Sequence, residues 1–165
     1  MILKNLDKKF LINSFLVLLI FLLDRLSKIY VIYLENKNEI SVLLETKFIN
    51  IHLIWNQGIA FGLLSFEENY LYNFLTLFIF IIILFISFMI FKSKGFKKYS
   101  LIMILGGAIG NFYDRVFYNA VPDFIDFHIG NFHWFIFNLA DIFITIGVIF
   151  MILIELTTNN SNEKI

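Results

Sequence analysis

Asp123 and Asp141 are the residues of this chain best suited to chemistry. Asp141 lies in an apolar run and Asp123 shortly before it, and neither has a Lys or Arg beside it in sequence, so each asks for a functional account. Two aspartates held within a few ångströms resist ionising together and share a proton. One can then take a proton from water while the other gives one, which is acid–base hydrolysis of a peptide bond without a metal or a covalent intermediate. Asp24, Arg25, Lys28, Asp114 and Arg115 are also ionisable groups in apolar surroundings, and for them ion pairing is an equal reading: Asp24 and Lys28 share a helix face at i, i+4, and Asp114 and Arg115 can tie helix ends.

Other chemistries fit less well. There is no HExxH pattern, and His52, His128 and His133 are scattered, so neither a metal nor a cofactor is expected and interfacial hydrogen bonding accounts for all three. The absence of cysteine removes disulfides, thiolate metal sites, Cys nucleophiles and palmitoylation. Ser27 and Lys28 are adjacent and point to different sides of a helix, which argues against a Ser/Lys dyad, and no Gly-rich phosphate loop is present.

The elements that must position these residues are membrane helices. With 59% hydrophobic and 16% charged residues and a mean hydropathy of +0.82, the 22 Phe and many Ile cannot be buried in a soluble core of 165 residues. Formal net charge is zero, so no nucleic-acid partner is expected. About 20 apolar residues span a bilayer as a helix, and four segments approach that length, at roughly 10–34, 70–91, 100–118 and 138–156. The apolar run after Lys4, Lys8 and Lys9 is a helix rather than a secretory signal, because it passes into Asp24, Arg25 and Lys28 without a small-residue cleavage site. Without a repeat or a linker, residues 1–165 read as one domain.

Lysines set the orientation. Lys4, Lys8 and Lys9, then Lys92, Lys94, Lys97 and Lys98, belong on the cytoplasmic side, so both termini lie inside and the segments 35–69 and 119–137, with Glu67 and Glu68, lie outside. Helix rise then puts Asp24 and Asp114 each about 21 Å up from the cytoplasmic side and Asp141 about 5 Å below the outer surface, one layer near the outer face to which Asp123, just beyond the third helix, can bend back. Ile49, Ile51, Leu53 and Trp55 alternate as a strand, Phe124 to His128 can add another, and Phe132, Trp134, Phe135 and Phe137 fit an interfacial aromatic belt. Asn138, Asp141 and Thr145 share one face of the fourth helix. Gly106 and Gly110 form a small-residue stripe on the third, continued by Asn111 and Asp114, and the second helix is an apolar wall. The expected fold is an α-helical membrane protein of four transmembrane helices with a small outward-facing β-sheet.

Four blocks carry a resemblance over nearly the whole chain: Asp24-Arg25-Leu26-Ser27-Lys28; Asn56-Gln57-Gly58-Ile59-Ala60-Phe61-Gly62; Gly110-Asn111-Phe112-Tyr113-Asp114-Arg115 with Val121-Pro122-Asp123-Phe124; and Phe137-Asn138-Leu139-Ala140-Asp141. In these blocks, their order and their spacing, the chain resembles the bacterial lipoprotein signal peptidase (signal peptidase II) family of membrane aspartic peptidases. The resemblance implies that Asp123 and Asp141 are the catalytic dyad, that Asn56, Gly58, Asn111, Arg115 and Asn138 serve the substrate site and its support, and that Asp24, Lys28 and Asp114 are structural or supporting. It implies cleavage of diacylglyceryl-modified prolipoproteins just before the lipidated Cys, at the outer face of the bacterial cytoplasmic (inner) membrane, with the signal helix and acyl chains in a membrane-facing cleft. Pro122 and the bulky Ile59 depart from the usual pattern without touching the dyad. Pro122 biases Val121 toward extended geometry, which can help direct Asp123.

The competing readings are a proton-coupled carrier or channel subunit that uses the intramembrane Asp and Lys as a relay, and a non-catalytic assembly protein whose polar layer binds partner helices. Four spans without a repeated half suit a carrier poorly. Membrane lipids are the expected surroundings and a monomer the expected state.

Overall fold

The computed structural model describes residues 2–38, 42–58 and 69–162, with side chains over 8–37, 42–58 and 70–158. Ile59 to Gly62 of the second sequence block, and Glu67 and Glu68, lie outside the described residues. Four helices carry the fold: α1 (Ile2–Asn38), α2 (Asn69–Lys92), α3 (Gly95–Tyr118) and α4 (Leu139–Asn162). The first three cover their predicted segments and overrun them, and α4 starts one residue later than predicted, with Asn138 as its cap, and overruns the far end. α1 takes in Lys8 and Lys9, α3 takes in Lys97 and Lys98, and α4 continues past the last apolar turn. The 37 residues of α1 make a rod about 55 Å long, longer than a hydrocarbon core of about 30 Å. Among the described residues, two helices are long and apolar enough to cross a membrane by length and composition, over Tyr70–Lys92 and Leu139–Thr158.

Burial is inverted relative to a water-soluble domain. Phe74, Phe85 and Phe91 of α2 and Ile152 and Leu153 of α4 are exposed, while Asp24, Lys28, Asp114 and Asn138 are fully buried at 0% exposure. An apolar outside around a charged inside is the arrangement that lipid rewards.

Glycines on α3 make that inside possible. A Cβ on Gly106 would stand 2.8 Å from the Ile20 Cβ of α1, one on Gly110 would stand 2.5 Å from Asp24 Oδ2, and one on Gly107 would stand 2.5 Å from the Ala140 carbonyl oxygen of α4. α3 is thus clasped by α1 along the predicted stripe and by α4 along the next position, with Ile20, Leu101, Ile102 and Leu105 packed below the polar residues.

A four-stranded antiparallel sheet follows the order β1 (Leu44–Glu45), β2 (Ile49–Asn56), β3 (Val121–Ile129), β4 (Phe132–Phe137). Two features differ from the sequence expectation. α3 stops at Asn119, whose left-handed φ of 54° ends the helix, and β3 starts at Val121. Asp123 therefore sits inside a strand opposite Ile54, held by a ladder rather than by a loop bending back. The aromatic run expected as a belt is itself a strand: Gly130, at φ 61°, and Asn131 turn the chain so that Ile129 pairs with Phe132 and His128 with His133. Phe132 and Trp134 remain exposed on it.

Candidate active site

Asn138 is the residue on which the site is assembled. It caps α4: its Oδ1 accepts the Asp141 N–H at 3.1 Å, and its own N–H donates to Asp141 Oδ2 at 3.1 Å, a reciprocal pair that satisfies two helix-end donors. Its Nδ2 donates to Asp123 Oδ1 at 2.6 Å. One residue thus ties the two carboxyls together, its side-chain amide holding the carboxyl from β3 and its backbone N–H holding the carboxyl from the first turn of α4.

Each aspartate has a further amide partner. Asn56, at the end of β2, donates from Nδ2 to Asp123 Oδ2 at 2.8 Å, and its Oδ1 accepts the Gly58 N–H at 2.8 Å. Asn111 of α3 donates from Nδ2 to Asp141 Oδ1 at 2.8 Å. Both aspartates line one cavity of ≈ 440 Å³ together with Asn56, Asn111, Arg115 and Asn138, walled on the lipid side by Leu75, Phe78 and Ile82 of α2. Asp123 also lines a second cavity, over the sheet, with Gln57, Gly58 and Trp134. Burial above all, and then the charge of Asp141, pushes the Asp123 carboxyl up to about 6, against the pull of its hydrogen bonds from Asn56 and Asn138 and of the Lys28 ammonium.

Behind the pair lies an ion cluster. The Lys28 ammonium donates to Asp24 Oδ2 at 2.8 Å, to Asn111 Oδ1 at 2.8 Å and to Asp114 Oδ2 at 2.7 Å, so all three of its protons are used. Asp24 Oδ1 accepts the Ala140 N–H at 3.1 Å, and Arg25 Nη2 lies 2.5 Å from Asp114 Oδ1 with its guanidinium 4.9 Å from the centre of the Tyr113 ring. These groups bear on the pair indirectly: Lys28 orients Asn111, which holds Asp141, and Asp24 holds the start of α4. Arg115 Nη2 donates to the Gly58 carbonyl at 2.6 Å, while its own backbone carbonyl accepts the Tyr72 hydroxyl at 3.3 Å.

All ten residues named from the sequence as site or support, namely Asp24, Lys28, Asn56, Gly58, Asn111, Arg115, Asp114, Asp123, Asn138 and Asp141, fall in this connected network. Sequence reasoning passed over Tyr72, because a Tyr near a helix start reads as interfacial. It also passed over the meeting of Asp126 with His128 and His133 on the sheet, which the two-residue turn Gly130-Asn131 between alternating runs would have signalled.

Lipid-facing apolar helices around a buried polar layer, with paired carboxyls at its edge, define a helical membrane enzyme. Comparison with known proteins narrows this: the family model described as signal peptidase (SPase) II matches residues 16–157, and the chain belongs to that family and is a peptidase. It is 49% identical over 159 residues to a lipoprotein signal peptidase of Pelagibacter ubique (strain HTCC1062), covering 95% of this chain and 96% of that one. A lipoprotein signal peptidase of Anaplasma phagocytophilum (strain HZ) is 40% identical over 151 residues, covering 90% and 94%. Among solved structures, a bacterial membrane enzyme determined by the in meso method at 2.3 Å superposes with a TM-score of 0.68 at 32% identity, covering 91% of this chain and 90% of that one.

Proposed function

We propose that this chain is an aspartic endopeptidase that removes signal peptides from diacylglyceryl-modified prolipoproteins, cleaving before the lipidated Cys, and that Asp123 and Asp141 activate the water. The observation that carries the reading is Asn138, whose side-chain amide donates to the Asp123 carboxyl and whose backbone N–H donates to the Asp141 carboxyl, at the rim of a cavity with an apolar wall. In the reaction, one carboxylate takes a proton from water as its oxygen attacks the scissile carbonyl carbon, and the protonated partner gives its proton to the carbonyl oxygen. Collapse of the tetrahedral intermediate then returns a proton to the leaving amine. Charge balance supports a shared proton: Arg25 and Lys28 pair with Asp24 and Asp114, Arg115 lines the cavity with Asp123 and Asp141, and one proton held by the pair leaves three cations beside three carboxylates.

Asn56, Gly58, Asn111, Arg115 and Asn138 position the pair and the substrate, with the signal helix against the α2 wall and the mature segment leaving over the sheet. The enzyme works as a monomer crossing the bacterial cytoplasmic membrane four times, termini inside, with the site near the outer face. Incubating purified enzyme with a lipidated prolipoprotein in detergent and following its mobility tests this. Wild type should convert it, while Asp123→Asn and Asp141→Asn should each lose at least about 100-fold in kcat yet still bind substrate. Substantial cleavage by either variant would move the proton transfers elsewhere.

A further inference from the structure

Apart from the paired aspartates, the sheet gathers three metal-ligating side chains whose grouping neither the fold nor the proposed reaction requires. Asp126 and His128 stand on β3 and His133 on β4, and one ligand atom from each lies within 4.8 Å of the others. Asp126 and His128 are buried, at 2% and 8% exposure, and among the described residues Asp126 Oδ1 and His128 Nδ1 have no hydrogen-bond partner. Orphaned polar atoms of this kind cost free energy unless something satisfies them. His133 is the accessible member, with its side chain 55% exposed and its Nδ1 2.8 Å from Asp126 Oδ2.

We propose that Asp126, His128 and His133 form a binding site for a divalent transition-metal ion, Zn²⁺ above all. Two imidazoles and a carboxylate are the donor set that borderline ions prefer over Mg²⁺ or Ca²⁺. Around a tetrahedral ion with bonds of about 2.0–2.1 Å, ligand atoms stand roughly 3.3 Å apart. The more distant atoms must therefore close by at most about 1.5 Å and the Asp126–His133 pair open slightly, and the exposed His133 is the ligand freest to move. The fourth position opens to the cavity that Asp126 and His133 line beside Asp123. An ion there staples β3 to β4 on the strand that carries Asp123. The site does not depend on the peptidase reading, since a catalytically dead chain would bind the ion equally.

Full-length protein in detergent, free of any polyhistidine tag and stripped with chelator, is titrated with Co²⁺ while its visible d–d absorption is followed, and then with Zn²⁺ in competition. The expected result is one Co²⁺ per chain with a tetrahedral spectrum, displaced by Zn²⁺ and unaffected by excess Mg²⁺. Affinity should fall at least about tenfold in His133→Gln and in Asp126→Asn, and stay unchanged in His52→Gln. His133 is exposed, so its variant should fold. Absence of stoichiometric Co²⁺ binding, or binding indifferent to His133→Gln, would overturn the assignment and leave a hydrogen-bonded Asp–His couple. Loss on His52→Gln alone would overturn it as well.

Discussion

Asp123 keeps its proton more tightly than an ordinary aspartate, and the sign of the consequence can be followed. Its ordinary value is 3.8, and burial with the nearby Asp141 charge carries it to about 6. The folded state therefore binds this proton more strongly than the unfolded chain does. Asp123 contributes stability that is fully present below about pH 4 and is lost as the pH rises through about 6, on the order of 3 kcal/mol for a shift of about two units. Asp123→Asn cannot ionise, so the stability of wild type minus that of the variant isolates this group. Denaturant unfolding in detergent should show that difference falling between about pH 4 and about pH 6.5 and levelling above. A flat difference would mean that Asp123 ionises as readily in the fold as outside it.

Among the elements, α3 bears the tightest constraint, because it must bring Asn111 and Asp114 to Lys28 while touching both α1 and α4. Gly110→Ala places a methyl 2.5 Å from Asp24 Oδ2, so α1 must retreat and the Lys28 cluster must loosen. The expected cost is about 1–3 kcal/mol, read as a lower thermal midpoint, with peptidase activity reduced through misplaced Asn111. A variant as stable and active as wild type would show that the helices can part without consequence. Asp24→Asn acts on the same contact from the other side. It weakens the acceptor for Lys28 and Ala140, whereas Asp114 and Asn111 still hold the ammonium. It should lower stability, on the order of 3 kcal/mol at most, and spare activity far better than either dyad substitution. Abolished turnover with folding and substrate binding intact would instead make Asp24 catalytic.

How these elements could be read from the sequence differed by kind. The helices and the Gly106 and Gly110 stripe were legible because apolar length and small-residue spacing are local properties. The common level of Asp24, Asp114 and Asp141 followed from lysine placement and helix rise. The strand around Asp123 was not legible, since its partner β2 lies far away in sequence, and β4 was obscured because an aromatic run serves a belt and a strand alike. The Asn138 contacts were half visible: helix spacing put Asn138 and Asp141 on one face, but its use as donor to Asp123 needs β3 in place.

At the scale of the whole molecule, orientation decides what the site can reach. Lys97 at the start of α3 lies 3.5 Å from Glu155 near the end of α4, so the lysine-rich turn after α2 and the far end of α4 share one pole. The sheet leaves the end of α3 and returns to the start of α4, so it and the aspartate pair lie toward the other pole. Lys92, Lys94, Lys97 and Lys98 concentrate at the first pole, and basic residues in short connections stay on the cytoplasmic side. The opposite pole, with the aspartate pair and the exposed aromatics Phe132 and Trp134, should therefore face the outside, where the proposed lipid-modified substrate would present its cleavage site. The chain has no native cysteine, so single cysteines report without background from the protein itself. In intact cells a membrane-impermeant maleimide should label Asn131→Cys and leave Lys97→Cys unmodified until the membrane is opened. Labelling at 97 from outside would invert the molecule and place the aspartate pair on the cytoplasmic side, where a translocated prolipoprotein could not reach it.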